Sequence, residues 1–429
     1  MLDIRKRFST RLGKDVIWTF SLQITIMLCV FAVTKLLASR LSIDDFGQYN
    51  VIKRSVQVLS FVMLAGVGIA LPRYIPLYRN STPPRAIAPL LAASLIYITG
   101  VTLVVFLGCM VFSTQMQDII IGQGNNMSLL LIALAYAFVL AMAQYVYAYY
   151  RGIGNFKWYN GTQLAIQIAT VVPLVLLPVL TVKGVFVSWL VITALLVAYY
   201  LLREARGKWK GLRVSHFTSN LREIVKYSSG RLLADFFLFS LSAFPLIYIS
   251  NAQGLQPTAY YSVGITFVTM VTPVFSFMGI ILLPYVSECI AKGEMQTANR
   301  LIHRLALLYV GASLLITVIL YAFTCFFTCL LFADSYVVTV DITRIMILAI
   351  LPQAIYLLYR NPIDAVSVIP YNTMILGICL AAMVISFTLS TTLTHFAWAY
   401  LGISLLQGIL SWFTWEVIKK KKTHLLPPS

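Results

Sequence analysis

The chain has 429 residues, of which 60% are hydrophobic and only 11% are charged, and 32 Lys and Arg residues exceed 14 Asp and Glu residues to give a formal net charge of +18. Globular domains average about 45–50% apolar and about 25% charged residues, and a soluble protein this apolar would expose far more hydrophobic surface than water tolerates. The composition excludes a cytosolic enzyme, a disordered chain and a nucleic-acid-binding protein, and it predicts a multi-pass membrane protein.

Apolar runs long enough to cross a bilayer, about 20 residues each, recur along the whole chain. They predict an all-α protein with about twelve transmembrane helices, at residues 16–38, 47–70, 87–113, 128–150, 160–181, 184–202, 228–250, 258–284, 301–332, 342–359, 367–390 and 395–417. A basic segment precedes the first run, as in a signal peptide, but eleven further runs follow and no persuasive cleavage site is present. We therefore expect the first helix to be retained.

The distribution of Lys and Arg orients these helices. When the N-terminus is placed in the cytoplasm, most of the 32 basic residues fall on the cytoplasmic side, as the positive-inside rule requires, and both termini are then cytoplasmic. The longest outer loop, around Thr114–Met127, is short and has no Lys or Arg. Because no extramembrane region has room for a catalytic domain, we expect the protein not to be an enzyme. The six cysteines lie in or beside apolar runs without His or acidic partners, so we expect neither a metal site nor a cofactor.

An internal repeat divides the chain. Phe46–Ile75 aligns without a gap with Thr258–Ser287, so that Tyr49 falls on Tyr261. With six helices in each half, both halves enter the membrane from the same side, and this parallel repeat is typical of transporters whose substrate binds between the halves. We predict a six-helix lobe at residues 1–205, a basic cytoplasmic linker at 206–227 and a second six-helix lobe at 228–429.

The second predicted span contains a polar stripe. Asn50, Lys53, Arg54 and Gln57 recur at i, i+3, i+4 and i+7, which places them on one helix face. Charges within a span cost several kcal/mol, about 2.5–3.5 for Arg or Lys at the centre, so they normally face protein or water. The stripe therefore predicts a cationic lining that meets an anionic substrate in an aqueous cavity. Snorkelling of Lys53 and Arg54 towards the outer interface is the alternative.

Three further charged residues within the predicted spans are candidates for a functional role. Lys35 lies within a turn of the outer end of the first span, where it either joins the cavity or snorkels to the interface. Arg231 and Asp235 are four residues apart near the inner end of the seventh span. They form either an ion pair that eases insertion or a gating or coupling-ion site.

Tyrosines cluster at the cytoplasmic end of the fourth predicted span, at Tyr145, Tyr147, Tyr149 and Tyr150. Such a cluster is typical of the aromatic belt that lies at a membrane interface. Stacking of one or two of these rings on a sugar is the alternative.

Two segments resemble a known group of proteins. SRLSIDDFGQYNVIKRSVQVLSFVMLAGVGIALPRYI (Ser39–Ile75) is similar to the opening of bacterial polysaccharide exporters, the O-antigen and oligosaccharide-lipid flippases of the multidrug/oligosaccharidyl-lipid/polysaccharide (MOP) exporter superfamily. GLQPTAYYSVGITFVTMVTPVFSFMGIILLPYVSE (Gly254–Glu288) resembles the start of that family's second lobe. The resemblance implies a polytopic MOP/MATE-like fold with two six-helix lobes.

The resemblance also implies a function. Such proteins move an oligosaccharide linked to undecaprenyl pyrophosphate from the cytoplasmic to the periplasmic leaflet of the bacterial inner membrane by alternating access. The implied partners are the lipid-linked oligosaccharide, the bilayer and the polysaccharide polymerase and chain-length machinery, with no nucleic acid. A multidrug or small-molecule antiporter of the same superfamily is the alternative. Cationic drug export usually relies on buried carboxylates, and Asp235 is the only acid well inside a predicted span.

Overall fold

The computed structural model describes residues 11–79, 81, 86–122, 126–205, 217–291, 295–367 and 369–423, and within these ranges the chain is helical with no β-strand. The helices are α1 (Arg11–Arg40), α2 (Ile43–Leu64), α3 (Val67–Arg79), α4 (Ala88–Val111), α5 (Ser113–Ile121), α6 (Met127–Gly152), α7 (Phe156–Leu176), α8 (Val182–Ala205), α9 (Phe217–Ala252), α10 (Leu255–Ala291), α11 (Met295–Ala322), α12 (Thr324–Leu331), α13 (Val340–Ile347), α14 (Ile350–Val366), α15 (Tyr371–Thr388) and α16 (Leu393–Thr423). A 3-10 helix, Asp334–Thr339, precedes α13.

The helical membrane fold predicted from the apolar runs is confirmed. Among the described residues, nine helical elements are long and apolar enough to cross a membrane, and a bent pair, Asp334–Ile347 with Ile350–Val366, makes a tenth if it counts as one span. The first and fifth predicted spans are helical as α1 and α7 but are not among these elements. The count of twelve spans therefore stays a prediction.

The second span is longer than predicted and is broken. It extends over Ile43–Arg79 as α2 and α3, and the break lies at Ala65 (φ 51°) and Gly66 (φ 76°). Both residues have left-handed backbone conformations, which cost a non-glycine residue about 1–2 kcal/mol. The N–H of Ala65 donates to the carbonyl oxygens of Phe61 and Val62, which closes the end of α2.

Two other long helices, α4 and α11, are each followed by a phenylalanine and then by a short helix. The outer loop predicted around Thr114–Met127 is wrong in part, because α5 forms there after a break at Phe112. Ile120 and Ile121 of α5 are buried, and this burial of one apolar face holds the segment as a helix. The single span predicted at 301–332 is likewise divided at Phe323 into α11 and α12. The order of a long helix, a phenylalanine and a short helix thus occurs twice, as an internal repeat predicts.

The tenth predicted span, 342–359, is bent. The axes on either side of the break at Leu348 and Ala349 differ by 42°. Pro352 accounts for the position of the bend, because proline has no N–H to donate to the carbonyl of Leu348, four residues earlier, and its ring crowds that carbonyl.

The chain forms two compact units. One comprises Met1–Phe239 with Ile249–Leu255, and the other comprises Ser240–Tyr248 with Gln256–Ser429. In the first unit α6 packs against α2, α3 and α8, and α1 packs against α7. In the second unit α14 packs against α11 and α16, and α16 also packs against α15. The predicted linker at 206–227 lies partly outside the described residues, and the predicted division into two six-helix lobes stays a prediction.

A glycine allows α14 and α16 to approach closely. A Cβ atom at Gly408 would lie 2.8 Å from the carbonyl oxygen of Pro352, which belongs to the backbone and cannot rotate away. We expect Gly408→Ala to destabilise the second unit by about 1–3 kcal/mol, the usual cost of overpacking. The measurement is the thermal unfolding midpoint of the purified protein.

Gly402 provides the control on the same helix, because a Cβ atom there would meet nothing within 4 Å. Gly402→Ala should leave the midpoint unchanged or raise it, since alanine favours helix by about 0.5–1 kcal/mol over glycine. Equal midpoints for the two variants would show that α14 and α16 are not in contact at Gly408.

Candidate substrate-binding site

The N-terminus of α2 fixes where the helix begins, and therefore on which face each of its side chains lies. The hydroxyl of Ser42 accepts a hydrogen bond from the backbone N–H of Asp45 at 3.1 Å, which satisfies one of the unpaired donors of the first turn. Asp44 and Asp45 lie in that turn, where carboxylates favour the positive end of the helix dipole. Phe46 and Tyr49 on the next turn are buried, so the orientation of the polar stripe that follows is fixed.

Both cations of the stripe are half-buried and are positioned by neighbours on α2. The Nζ atom of Lys53 lies 5.5 Å from the centroid of the Tyr49 ring, a distance at which the ring face attracts a cation. Nη1 of Arg54 donates to Oε1 of Gln57 at 3.4 Å. Lys53, Arg54 and Gln57 therefore lie on one polar face of this helix, and a hydrogen bond joins the last two.

An aromatic cluster supports the cations. The Tyr49 ring lies with its centroid 5.9 Å from each of those of Phe46, Phe186 and Trp189. Phe186 and Trp189 belong to α8 and are buried, so the cluster is a packed apolar layer beneath Lys53. An apolar layer lowers the local dielectric constant and strengthens the attraction between the cations and an anion.

Two residues that the sequence analysis did not identify extend the stripe. Ser60, three residues after Gln57, donates its hydroxyl to the carbonyl oxygen of Gln57 at 2.8 Å. Nε2 of Gln144 on α6 donates to Oγ of Ser60 at 3.4 Å. The spacing of Ser60 could have revealed it, whereas nothing around Gln144 in the sequence does so.

The remaining predicted site residues have different surroundings. Asn50 is buried, and its amide donates to the carbonyl oxygen of Phe46 at 2.8 Å, so this donor is used within the helix. Lys35 on α1 and Asp235 on α9 are half-buried. The side chain of Arg231 lies outside the described residues, so the predicted pair of Arg231 with Asp235 stays a prediction.

The tyrosine cluster of α6 is mostly buried within the protein, and its predicted position at a membrane interface stays a prediction. Tyr145, Tyr149 and Tyr150 have little exposed surface. The hydroxyls of Tyr149 and Tyr150 donate to the carboxylate of Glu204 at 2.9 and 3.1 Å. These contacts join the end of α6 to the end of α8, so the tyrosines stabilise the first unit.

Arg40, the last residue of α1, joins α1 to the end of α7. Its guanidinium donates to the carbonyl oxygens of Leu174 and Leu177 at 2.6 Å and of Pro178 at 2.8 Å. Carbonyl groups at a helix C-terminus lack partners within the helix and attract cations. Hydropathy and helical periodicity do not reveal these contacts, which give Arg40 a structural role.

We expect Arg40→Ala to lower the thermal unfolding midpoint, with a loss of about 1–3 kcal/mol for donors to carbonyl groups that then lack a partner. Lys183→Ala removes an exposed cation from the start of α8 and should have no such effect. An unchanged midpoint for Arg40→Ala would contradict the structural role.

The charged groups of the stripe suit an anion and not a metal ion. Lys and Arg donate charge-assisted hydrogen bonds to phosphate, and the planar guanidinium can do so with two parallel bonds. Across the part of the chain that the structure describes, no three His, Cys, Asp or Glu side chains are close enough to hold a metal.

The chain matches one protein family in sequence and several proteins of known structure in fold. Residues 12–290 match the family model described as polysaccharide biosynthesis protein. The fold is similar to that of an inward-facing multidrug resistance MATE family transporter of the MOP superfamily (TM-score 0.73, 12% identity, 96% of this chain and 98% of that chain). It is also similar to the lipid II flippase MurJ (TM-score 0.73, 12% identity, 95% and 90%). A mutant form of the Vibrio cholerae MATE transporter VcmN is a third relative in fold (TM-score 0.63, 14% identity, 98% and 99%). No curated protein sequence matches the chain.

Proposed function

The chain belongs to the polysaccharide biosynthesis protein family, and from that premise we propose that it is a flippase for a lipid-linked oligosaccharide. Its cargo is a surface-polysaccharide repeat unit such as O-antigen, joined to undecaprenyl pyrophosphate. It moves this cargo from the cytoplasmic to the periplasmic leaflet of the bacterial inner membrane, with both of its own termini in the cytoplasm. The polysaccharide polymerase and chain-length machinery then use the translocated unit.

The observation that carries the proposal is the pair of half-buried cations on a membrane-spanning helix. A cation within a span is costly unless it has a polar or charged partner. The pyrophosphate of the carrier is such a partner, because Lys53 and Arg54 can neutralise it and donate hydrogen bonds to its oxygens. The half-buried Gln57 and Gln144 extend the polar surface next to them and suit the hydroxyl groups of a sugar.

The mechanism follows from the charge of the cargo. The pyrophosphate and the oligosaccharide are too polar to enter hydrocarbon, whereas the polyprenyl chain is stable there. We infer that the headgroup passes through a cavity between two lobes that alternately open to each side, while the tail remains in the bilayer. Lys35 joins the cationic lining of this cavity. Arg231 and Asp235 form either a gate of the cavity or the site of a coupling ion.

The proposal is tested by measuring which leaflet of the membrane contains the lipid-linked oligosaccharide. The gene is deleted from its host, and a membrane-impermeant glycan-modifying probe reports which leaflet contains the extracted polyprenyl-pyrophosphate oligosaccharides. We expect completed units to accumulate on the cytoplasmic face, and expression of the wild-type chain should restore their export. A normal distribution in a host without a second exporter would overturn the proposal and favour a multidrug or small-molecule antiporter.

A further inference from the structure

The second unit contains a counterpart of the cationic stripe that has no charge. In the alignment of the two repeats, Arg54 corresponds to Thr266 and Gln57 to Thr269, both on α10, while Lys53 corresponds to an isoleucine. The two threonines are half-buried, as Arg54 and Gln57 are. The second repeat therefore keeps a polar face at this position but has neutral side chains in place of the cations. We call Thr266 and Thr269 the hydroxyl face.

A glutamine on the neighbouring helix of each unit supports this correspondence. Gln144–Arg151 on α6 aligns without a gap with Gln353–Arg360 on α14, so the two glutamines are equivalent. In the first unit the glutamine of α6 donates to Ser60 of α2. In the second unit the glutamine of α14 lines a small pocket together with Thr272 of α10, which is the counterpart of Ser60. The helix α10 therefore meets α14 as α2 meets α6.

The hydroxyl face offers hydrogen-bond acceptors. Oγ1 of Thr266 donates to the carbonyl oxygen of Ser262 at 2.7 Å, and Oγ1 of Thr269 donates to that of Ile265 at 2.9 Å. A hydroxyl has one proton and two lone pairs, so each of these oxygen atoms still accepts a hydrogen bond after its proton is used. The sequence of α10 contains no Lys, Arg or His, so the helix itself supplies no cation beside these acceptors.

A ligand of this face has to donate hydrogen bonds and bear no negative charge. Phosphate and carboxylate oxygens are acceptors, and here they would meet other lone pairs without a cation to balance their charge. The hydroxyl and N-acetyl amide groups of a sugar are donors. We propose that the hydroxyl face binds an uncharged sugar of the lipid-linked oligosaccharide and that Thr266 and Thr269 select for it. The inference rests on the proposed flippase function, in which the stripe on α2 binds the pyrophosphate.

The affinities of the purified full chain for two ligands test this assignment. One ligand is the lipid-linked oligosaccharide extracted from the deletion host, and the other is undecaprenyl pyrophosphate without a sugar. Thr266→Val with Thr269→Val replaces each hydroxyl by a methyl group. We expect the affinity for the lipid-linked oligosaccharide to fall by about 5- to 150-fold, the effect of two neutral hydrogen bonds, and the affinity for undecaprenyl pyrophosphate to be unchanged. Arg54→Ala should weaken the binding of both ligands.

Two controls separate the loss of the oxygen atoms from other effects. Thr266→Ser with Thr269→Ser keeps both oxygens and should retain the wild-type affinities. Thr99→Val removes an exposed hydroxyl of α4 that also donates to a carbonyl oxygen of its own helix, and this variant should bind both ligands normally. If the double valine variant does not fold, each single valine variant should lower the ratio of the two affinities by about 2- to 12-fold.

The outcomes distinguish this inference from the proposed function. Failure of the wild type to bind either ligand, or binding of both that is indifferent to Arg54→Ala, would contradict the flippase function itself. If Arg54→Ala weakens both ligands while the valine variants bind the lipid-linked oligosaccharide as the wild type does, only the hydroxyl face is contradicted. An equal loss of both affinities in the valine variants would also overturn the proposal, because the threonines would then not distinguish the sugar from its carrier.

Discussion

Replacement of Arg54 by alanine is expected to abolish export of the lipid-linked oligosaccharide without changing the amount of protein in the membrane. The half-buried guanidinium is held by Gln57 on the same helix and can offer two parallel donors to the pyrophosphate. Each hydrogen bond to a charged group contributes about 1.5–3 kcal/mol, so the loss of two corresponds to about 100-fold or more in affinity.

Two further variants separate charge from geometry. Arg54→Lys keeps the charge but loses the planar fork, and we expect partial export, between that of the wild type and that of Arg54→Ala. Arg79→Ala removes an exposed arginine from the end of the same broken span and should export normally. Export is measured by the leaflet assay with the impermeant probe, and protein by immunoblotting of membranes. Normal export by Arg54→Ala would contradict the proposal that Arg54 binds the pyrophosphate.

The sequence predicted the helical membrane fold because hydrophobic runs are a local property. The breaks within those runs were not predictable in the same way. Phe323 lies inside a mostly apolar stretch, where hydropathy carries no information on backbone dihedral angles. Phe112 lies at the end of an apolar run, and hydropathy does not show that a further helix, α5, follows it. Ala65 and Gly66 adopt left-handed conformations, which a glycine can indicate in a sequence but an alanine does not. Pro352, in contrast, is a signal for a bend that can be read from the sequence itself, because the effect of proline on the preceding turn is local.

The cationic stripe followed from helical periodicity, which places residues three and four apart on one face. Periodicity does not show how each side chain satisfies its hydrogen bonds. Asn50 has the right spacing, yet its amide donates to its own helix. Gln144 contacts the stripe because α6 packs against α2, a long-range arrangement with no signature in either segment. The burial of the α6 tyrosines was not predictable for the same reason, since their partner Glu204 is on α8.

Lys53→Ala is expected to lower export strongly but less than Arg54→Ala does. A lysine contributes a point charge and one directed hydrogen bond to a phosphate oxygen, so its removal corresponds to about 10- to 150-fold in affinity. The side chain is also positioned by the Tyr49 ring, 5.5 Å from its Nζ atom. Because that contact needs the ring and not the hydroxyl, Tyr49→Phe should leave export unchanged.

Variants of Tyr49 and Lys53 distinguish a contact with the substrate from a contact that only stabilises the fold. The hydroxyl of Tyr49 is buried, and the described part of the chain offers it no hydrogen-bond partner. Its removal should therefore keep or raise the thermal unfolding midpoint. Tyr49→Leu removes the ring, leaves Lys53 unpositioned and should reduce export towards the level of Lys53→Ala. Lys53→Arg should restore most of the activity, since the charge is retained over the same ring. If Lys53→Ala exports normally while Arg54→Ala does not, the pyrophosphate contacts Arg54 alone, and the stripe acts through one cation instead of two.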